Sequence, residues 1–230
     1  MRILGLMKTT LLDFPGKVAA TVFTGGCNMC CPFCHNMNLV KGIDVEPIPE
    51  EEVLAFLKKR VGILDGVCIT GGEPTLMSDL PTFLQSIKFL GYSVKLDTNG
   101  TDPDMLRSLI DKKLIDYVAM DIKSSLPEYG KVCGNPSLDL SAVTDSIALL
   151  KSDVIDYEFR TTFIDEYHTP EVIDDIAKML SGAKKYYLQS FKDNDYVIDH
   201  SLHAPSKEKL LSYRQKLLRC IDIVEIRGVD

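Results

Sequence analysis

Four of the seven cysteines in this 230-residue chain fall within eight residues: Cys27, Cys30, Cys31 and Cys34. Cys68, Cys133 and Cys220 stand singly. Cys27, Cys31 and Cys34 form CxxxCxxC, and Cys30 makes an overlapping CxxC with Cys27. Thiolates on one loop can converge on one metal centre, and Gly25-Gly26 just before the first lets the backbone wrap around it. A structural zinc site wants four protein ligands. No second cysteine pair at matching spacing supplies them, and the local alternatives, His35 and Cys30, adjoin other ligands and would strain the site. Three thiolates suit a [4Fe–4S] cluster with one iron left open to a substrate or cofactor, although four-cysteine clusters are the usual arrangement. A secreted disulfide scaffold would spread its cysteines in pairs, so the odd, clustered set points to metal or redox chemistry.

Other polar segments recur along the chain: Gly71-Gly72-Glu73-Pro74, Asp97-Thr98-Asn99-Gly100, Asp121-Ile122-Lys123 and Arg160-Thr161-Thr162. Each sits at a strand-like stretch. The strands read as Val18 to Thr24, Val67 to Thr70, Ser93 to Leu96, Tyr117 to Ile122, Glu158 to Ile164, Tyr186 to Gln189 and Ile221 to Ile226. Helical patterns lie between them at Pro49 to Arg60, Leu80 to Leu90, Pro103 to Lys113, Ser141 to Leu150, Pro170 to Leu180 and Ser206 to Arg219. Ser78 or Asp79 is placed to cap the second of these, and Gly91 to stop it.

Repeated βα units imply a parallel sheet with helices outside. Six or so units are too few for a full eight-unit barrel, so the expected fold is α/β, a partial (β/α)6 TIM-like barrel, with a doubly wound open sheet as the alternative. Ligands in both sit at the C-terminal ends of the strands, where these polar segments fall. No linker divides the chain, so residues 1–230 read as one domain.

The net charge is −7, with 45% hydrophobic and 26% charged residues, the balance of an ordinary globular protein. The acidic balance argues against nucleic acid or an anionic membrane as partner. No apolar run approaches the roughly 18–20 residues of a membrane span, and the N-terminal apolar stretch is too short for a secretory signal. A cytoplasmic protein is expected.

CxxxCxxC with Phe33 before its last cysteine, followed by Gly71-Gly72-Glu73-Pro74, resembles the radical S-adenosylmethionine (SAM) superfamily. Cys31-Pro32-Phe33-Cys34-His35-Asn36, Thr10-Leu11-Leu12-Asp13-Phe14-Pro15-Gly16-Lys17, Asp97-Thr98-Asn99-Gly100 and Asp121-Ile122-Lys123 resemble glycyl-radical-enzyme activating enzymes. Within these the chain is most similar to the anaerobic ribonucleoside-triphosphate reductase activating proteins and pyruvate formate-lyase activases. The resemblance runs from about Thr10 to Arg160.

That resemblance implies a barrel of the radical SAM type. Cys27, Cys31 and Cys34 would hold a [4Fe–4S] cluster, whose open iron binds the amino and carboxylate groups of SAM. Reductive cleavage of SAM gives a 5′-deoxyadenosyl radical, which takes a hydrogen from a glycine of a partner enzyme, here most directly an anaerobic ribonucleotide reductase. Gly71, Gly72, Glu73 and Pro74 would receive the SAM amino group. Lys123 and Arg160 would meet its carboxylate and ribose, and Phe33 would shield the cluster near the adenine. Asp97, Thr98 and Asp121 would hold a monovalent cation, although Asp97 and Thr98 are also good turn residues. Thr98 and Asp121 thereby also stand beside SAM. Flavodoxin or ferredoxin would supply the electron. Cys30 is left as a spare thiol.

Two departures narrow the reading. The pyruvate formate-lyase activases carry a Tyr-His segment at a late strand; here the stretch is Leu188-Gln189-Ser190-Phe191, so Gln189 or Phe191 is expected at the adenine. Between His35 and Thr70 the only cysteine is Cys68, so no auxiliary cluster is expected. The competing readings are a radical SAM enzyme acting on a small molecule, such as 7-carboxy-7-deazaguanine synthase, and a zinc-stabilised binding protein.

Overall fold

The computed structural model describes residues 1–42 and 45–229. Its strands are β1 (Ile3–Thr10), β2 (Ala19–Thr24), β3 (Gly66–Gly71), β4 (Ser93–Thr98), β5 (Tyr117–Asp121), β6 (Asp156–Phe163), β7 (Lys185–Ser190) and β8 (Ile223–Arg227). They form one sheet in sequential order from β1 to β8. β1 and β2 are antiparallel, and every later neighbour pair is parallel. No pairing joins β8 back to β1 among the described residues, so the barrel is open.

The helices are α1 (Met37–Lys41), α2 (Glu50–Lys58), α3 (Leu80–Phe89), α4 (Pro103–Asp111), α5 (Leu126–Val132), α6 (Leu140–Lys151), α7 (Pro170–Met179) and α8 (Lys207–Leu217). Six βα units run from β2 to α8, which is the expected partial barrel. The antiparallel β1 was not among the strands read from the sequence.

Local chemistry sets the helix starts. Asp102, Asp139, Thr169 and Ser206 each accept a backbone N–H of the first turn of α4, α6, α7 and α8. Asp79 stands at the start of α3 without such a bond, and its carboxylate pairs with the Met1 amino group instead.

The strands bury opposite faces for different purposes. On β4, Val94 and Leu96 pack into the apolar core, whereas Lys95 and Asp97 alternate onto the other face. Both of these charged residues are buried. The inner face of the barrel is thus polar, and the cost of burying charge there demands partners. Lower in the barrel, Arg227 makes a two-pronged ion pair with buried Glu158, which also accepts from the Tyr117 hydroxyl.

Candidate functional site

At the C-terminal end of the sheet lies a cavity of about 400 Å³. Cys27, Cys31 and Cys34 all line it; Cys30 does not, and is exposed. The loop after β2 therefore sends three of its four thiols inward. Burial pushes the Cys27 thiol up to about 11 and that of Cys31 up to about 12, and it raises Cys34 as well. Metal ligation must release these protons, since the thiolate is the ligand. Among the described residues, no three His, Cys, Asp or Glu side chains converge where a single metal ion could be held. Three soft donors spread along one wall of a cavity fit a polynuclear iron–sulfur cluster better than one zinc ion. Phe33 lines the same wall and packs its ring 6.4 Å from that of Tyr167.

The turn after β3 is pressed against the cysteine loop. Gly72 N–H donates to Thr24 O at 2.9 Å and Glu73 N–H to Gly26 O at 2.8 Å. A Cβ on Gly72 would stand 1.8 Å from Gly26 O. Gly71 has φ +120°, and a Cβ there would stand 2.3 Å from Thr24 N. Only glycine allows this approach. Asn36 adds a bond from its side-chain amide to Gly71 O at 3.2 Å.

Gly71, Gly72 and Glu73 line the cavity as expected, but the Glu73 carboxylate is already engaged. It accepts from the Thr75 hydroxyl at 2.7 Å, the Thr98 hydroxyl at 2.7 Å, Thr75 N–H at 3.1 Å and Asn99 N–H at 2.6 Å. Burial pushes this carboxyl up, and those hydrogen bonds oppose it. Glu73 thus ties the end of β3 to the end of β4. Pro74 opens the 3₁₀ turn Pro74–Leu76 and is buried; it is not among the residues that line the cavity.

Opposite the thiols runs a line of five charges. Lys95 pairs with Asp97, Asp97 with Arg160 at 3.1 Å, Arg160 with Asp121, and Asp121 with Lys123 at 2.9 Å. Burial alone would push the Asp121 carboxyl up; Arg160 and Lys123 outweigh it and hold it well below the usual carboxylate range. Asp97 is lowered in the same way, by Arg160 and Lys95. Burial would lower Lys123, but Asp121 keeps its ammonium firmly charged. The line carries three cations and two anions; Asp97, Arg160, Asp121 and Lys123 line the cavity, and Lys95 stands behind Asp97.

This arrangement bears on the cation expected at Asp97, Thr98 and Asp121. Both carboxylates are satisfied by the chain's own ammonium and guanidinium groups, and the Thr98 hydroxyl is turned to Glu73. Lys95, absent from the sequence-derived site, supplies one of those partners. Its signal was a lysine between Val94 and Leu96, two residues before Asp97 on the same face of the strand.

Asn99, Gln189 and Thr162 also line the cavity. Gln189 of the late strand faces it, whereas Phe191 stacks on the His35 ring at 5.8 Å and lies outside the wall. His35 Nε2 also contacts Lys192 O at 2.7 Å. His168, buried, bridges two strand ends: Ile164 N–H donates to its Nδ1 at 2.9 Å, so Nε2–H donates to Lys123 O at 3.0 Å.

An open parallel barrel with three inward thiols after its first parallel strand and a Gly-Gly-Glu turn against them defines a class. The radical SAM superfamily profile matches residues 21–180, and the chain belongs to that superfamily; it is a radical SAM enzyme. A protein of Methanocaldococcus jannaschii, provisionally designated a glycyl-radical enzyme activating enzyme, is 33% identical over 98% of this chain and 95% of its own. The 7-carboxy-7-deazaguanine synthase of Thermoplasma acidophilum is 29% identical over 67% of this chain and 70% of its own. A domain of pyruvate-formate lyase-activating enzyme from Bacteroides vulgatus shares the fold, with TM-score 0.57 and 19% identity over 71% of this chain and 99% of its own. Membership of the superfamily implies a [4Fe–4S] cluster and SAM as cofactors, and the donor set of the cavity suits both. No helix among the described residues is long and apolar enough to cross a membrane.

Proposed function

We propose that this protein is an activating enzyme that generates a glycyl radical on a partner protein, most directly an anaerobic ribonucleotide reductase. The observation that carries the reading is the meeting, in one cavity, of three thiols with the Gly-Gly-Glu turn and the Asp97–Arg160–Asp121–Lys123 line of ion pairs. The near full-length similarity to the M. jannaschii protein favours a protein substrate. Residues 1–230 act as one radical SAM domain, in the cytoplasm, with flavodoxin or ferredoxin as electron donor. Nucleic acid is not a partner in this reading.

Cys27, Cys31 and Cys34 would hold the [4Fe–4S] cluster, three thiolates for four irons. Held there, the cluster and SAM would supply one-electron reductive cleavage of the sulfonium and, through it, hydrogen abstraction from the partner's glycine. The backbone around Gly71, Gly72 and Glu73 receives the SAM amino group. Lys123 and Arg160 meet its carboxylate and ribose, held by Asp121 so that their charge is aimed rather than free. Lys95, Arg160 and Lys123 take the place of a monovalent cation at Asp97, Thr98 and Asp121. Phe33 and Gln189 flank the adenine and keep water from it.

The second reading is a small-molecule enzyme of the 7-carboxy-7-deazaguanine synthase kind, favoured by the similarity over two-thirds of the chain. Anaerobic incubation with SAM, a reductant and the large subunit of an anaerobic ribonucleotide reductase separates the two. An electron paramagnetic resonance doublet from a glycyl radical is expected. No doublet, together with turnover of a purine-like substrate, would reverse the choice.

A further inference from the structure

The cysteine loop is gripped from behind by a segment that forms no part of the cavity wall. Cys133-Gly134-Asn135, just after α5, lies against Asn28 to Cys31. Cys30 N–H donates to Cys133 O at 2.9 Å, and the Asn135 side-chain amide donates to Asn28 O at 2.9 Å. The Cys31 thiol reaches the same Cys133 carbonyl at 3.6 Å. Gly134 has φ +67°, and a Cβ there would stand 2.2 Å from Cys30 O. The two stretches therefore meet backbone to backbone, and any side chain at 134 would push them apart.

The grip is itself anchored. Asn135 N–H donates to Gly130 O at 2.9 Å, and Asn135 Oδ1 accepts from Ser137 N–H at 3.2 Å. Cys133 N–H donates to Tyr129 O at 2.8 Å, and Tyr129 is fully buried in the core. A loop that must present three ligands at once loses much conformational freedom when it does so. A loop already fixed at Asn28 and Cys30 loses less.

We propose that Cys133-Gly134-Asn135 is a positioning clamp that holds the cysteine loop in its ligand-presenting shape and thereby slows loss of the cluster. This rests on the reading of Cys27, Cys31 and Cys34 as the ligands. The clamp lies outside the cavity wall and, apart from the Cys31 thiol, meets the loop through its backbone.

The test compares cluster retention in Asn135→Asp, Asn135→Ala and the wild type. Each protein is reconstituted anaerobically, its iron and acid-labile sulfide are measured, and the visible absorbance is followed under excess iron chelator without SAM. Asn135→Asp is nearly isosteric and keeps the acceptor for Ser137 N–H, but it cannot donate to Asn28 O. Both variants are expected to lose the cluster about three- to tenfold faster, the scale of one missing hydrogen bond. Melting of the cluster-free proteins should differ by only about 2–4 °C. Gly134→Asn tolerates a left-handed backbone but still sets a Cβ on Cys30 O, so it should take up less iron than the wild type.

Wild-type retention in Asn135→Asp would mean that Asn135 only shapes its own turn, and would overturn the clamp. A wild-type chain that takes up iron but no sulfide would overturn the ligand assignment instead, and the clamp with it.

Discussion

Arg160→Met tests the line of ion pairs most sharply. Arg160 alone touches both buried carboxylates, Asp97 through one guanidinium nitrogen and Asp121 through another. Its side chain is 16% exposed, and those of Asp97 and Asp121 are 11% and 27% exposed. Methionine fills much of the same space without charge. Lys95 remains on Asp97 and Lys123 on Asp121, so neither carboxylate is left wholly alone. Breaking a buried ion pair outright costs about 3–5 kcal/mol, and the surviving partners with partial solvent access reduce that to about 2–3 kcal/mol. For a chain of this size the melting temperature should fall by roughly 4–12 °C. The assay is urea and thermal unfolding of the cluster-free, reduced protein at neutral pH. SAM binding by the reconstituted variant should weaken in parallel, since the cavity loses one of the two cations, Arg160 and Lys123, that line it. Stability within about 0.5 kcal/mol of the wild type, the range of an ordinary surface change, would refute the view that this line holds the strand ends together.

Other predictions follow from the same geometry. Cys27→Ala, Cys31→Ala and Cys34→Ala should each abolish SAM cleavage and lower iron content, whereas Cys30→Ala should retain both; equal loss at Cys30 would show that the wrong three thiols were chosen. Gly72→Ala must move the turn by more than an ångström to relieve its contact with Gly26 O, and SAM affinity should fall on the order of 100-fold, measured by calorimetry. An affinity within twofold of the wild type would contradict the packing. Stability should also fall on the acid side. Burial holds His168 below its ordinary value, so its contribution is complete above about pH 6.5 and is lost as the pH falls. Asp97 and Asp121 are likewise lowered, and their contributions are lost only as pH drops below about 4. Glu73, raised by burial, runs the other way and partly offsets the decline. His168→Gln, which takes no proton, should remove the first part of the fall in urea midpoint; an unchanged curve would show that His168 plays no part in it.

The cavity was legible in sequence where chemistry is local. The thiols of one loop, the Gly-Gly-Glu turn and the polar strand ends are short runs, and parallel βα topology dictates that such ends meet on one rim. What spans strands was not legible. Lys95 pairs within β4, but its purpose appears only when Arg160 from β6 reaches across β5 to Asp97. Glu73 reads as a ligand for SAM, and its bonds to Thr98 and Asn99 at the end of the next strand give no sign in the sequence. β1 was missed because its mixed burial gives no clean alternation, and an edge strand owes its stability to pairing with β2. α5 was missed because Pro127 and Gly130 break its seven-residue pattern, and α1 because five residues carry no period.

The most direct measurement of the central claim is the spectrum of the reduced, reconstituted protein before and after SAM is added, with metal and sulfide counted on the same sample. The account predicts about four iron and about four sulfide per chain, and a paramagnetic resonance signal that shifts on adding SAM because one iron is open to it. Zinc without sulfide, or an iron–sulfur signal that SAM leaves unchanged, would contradict it.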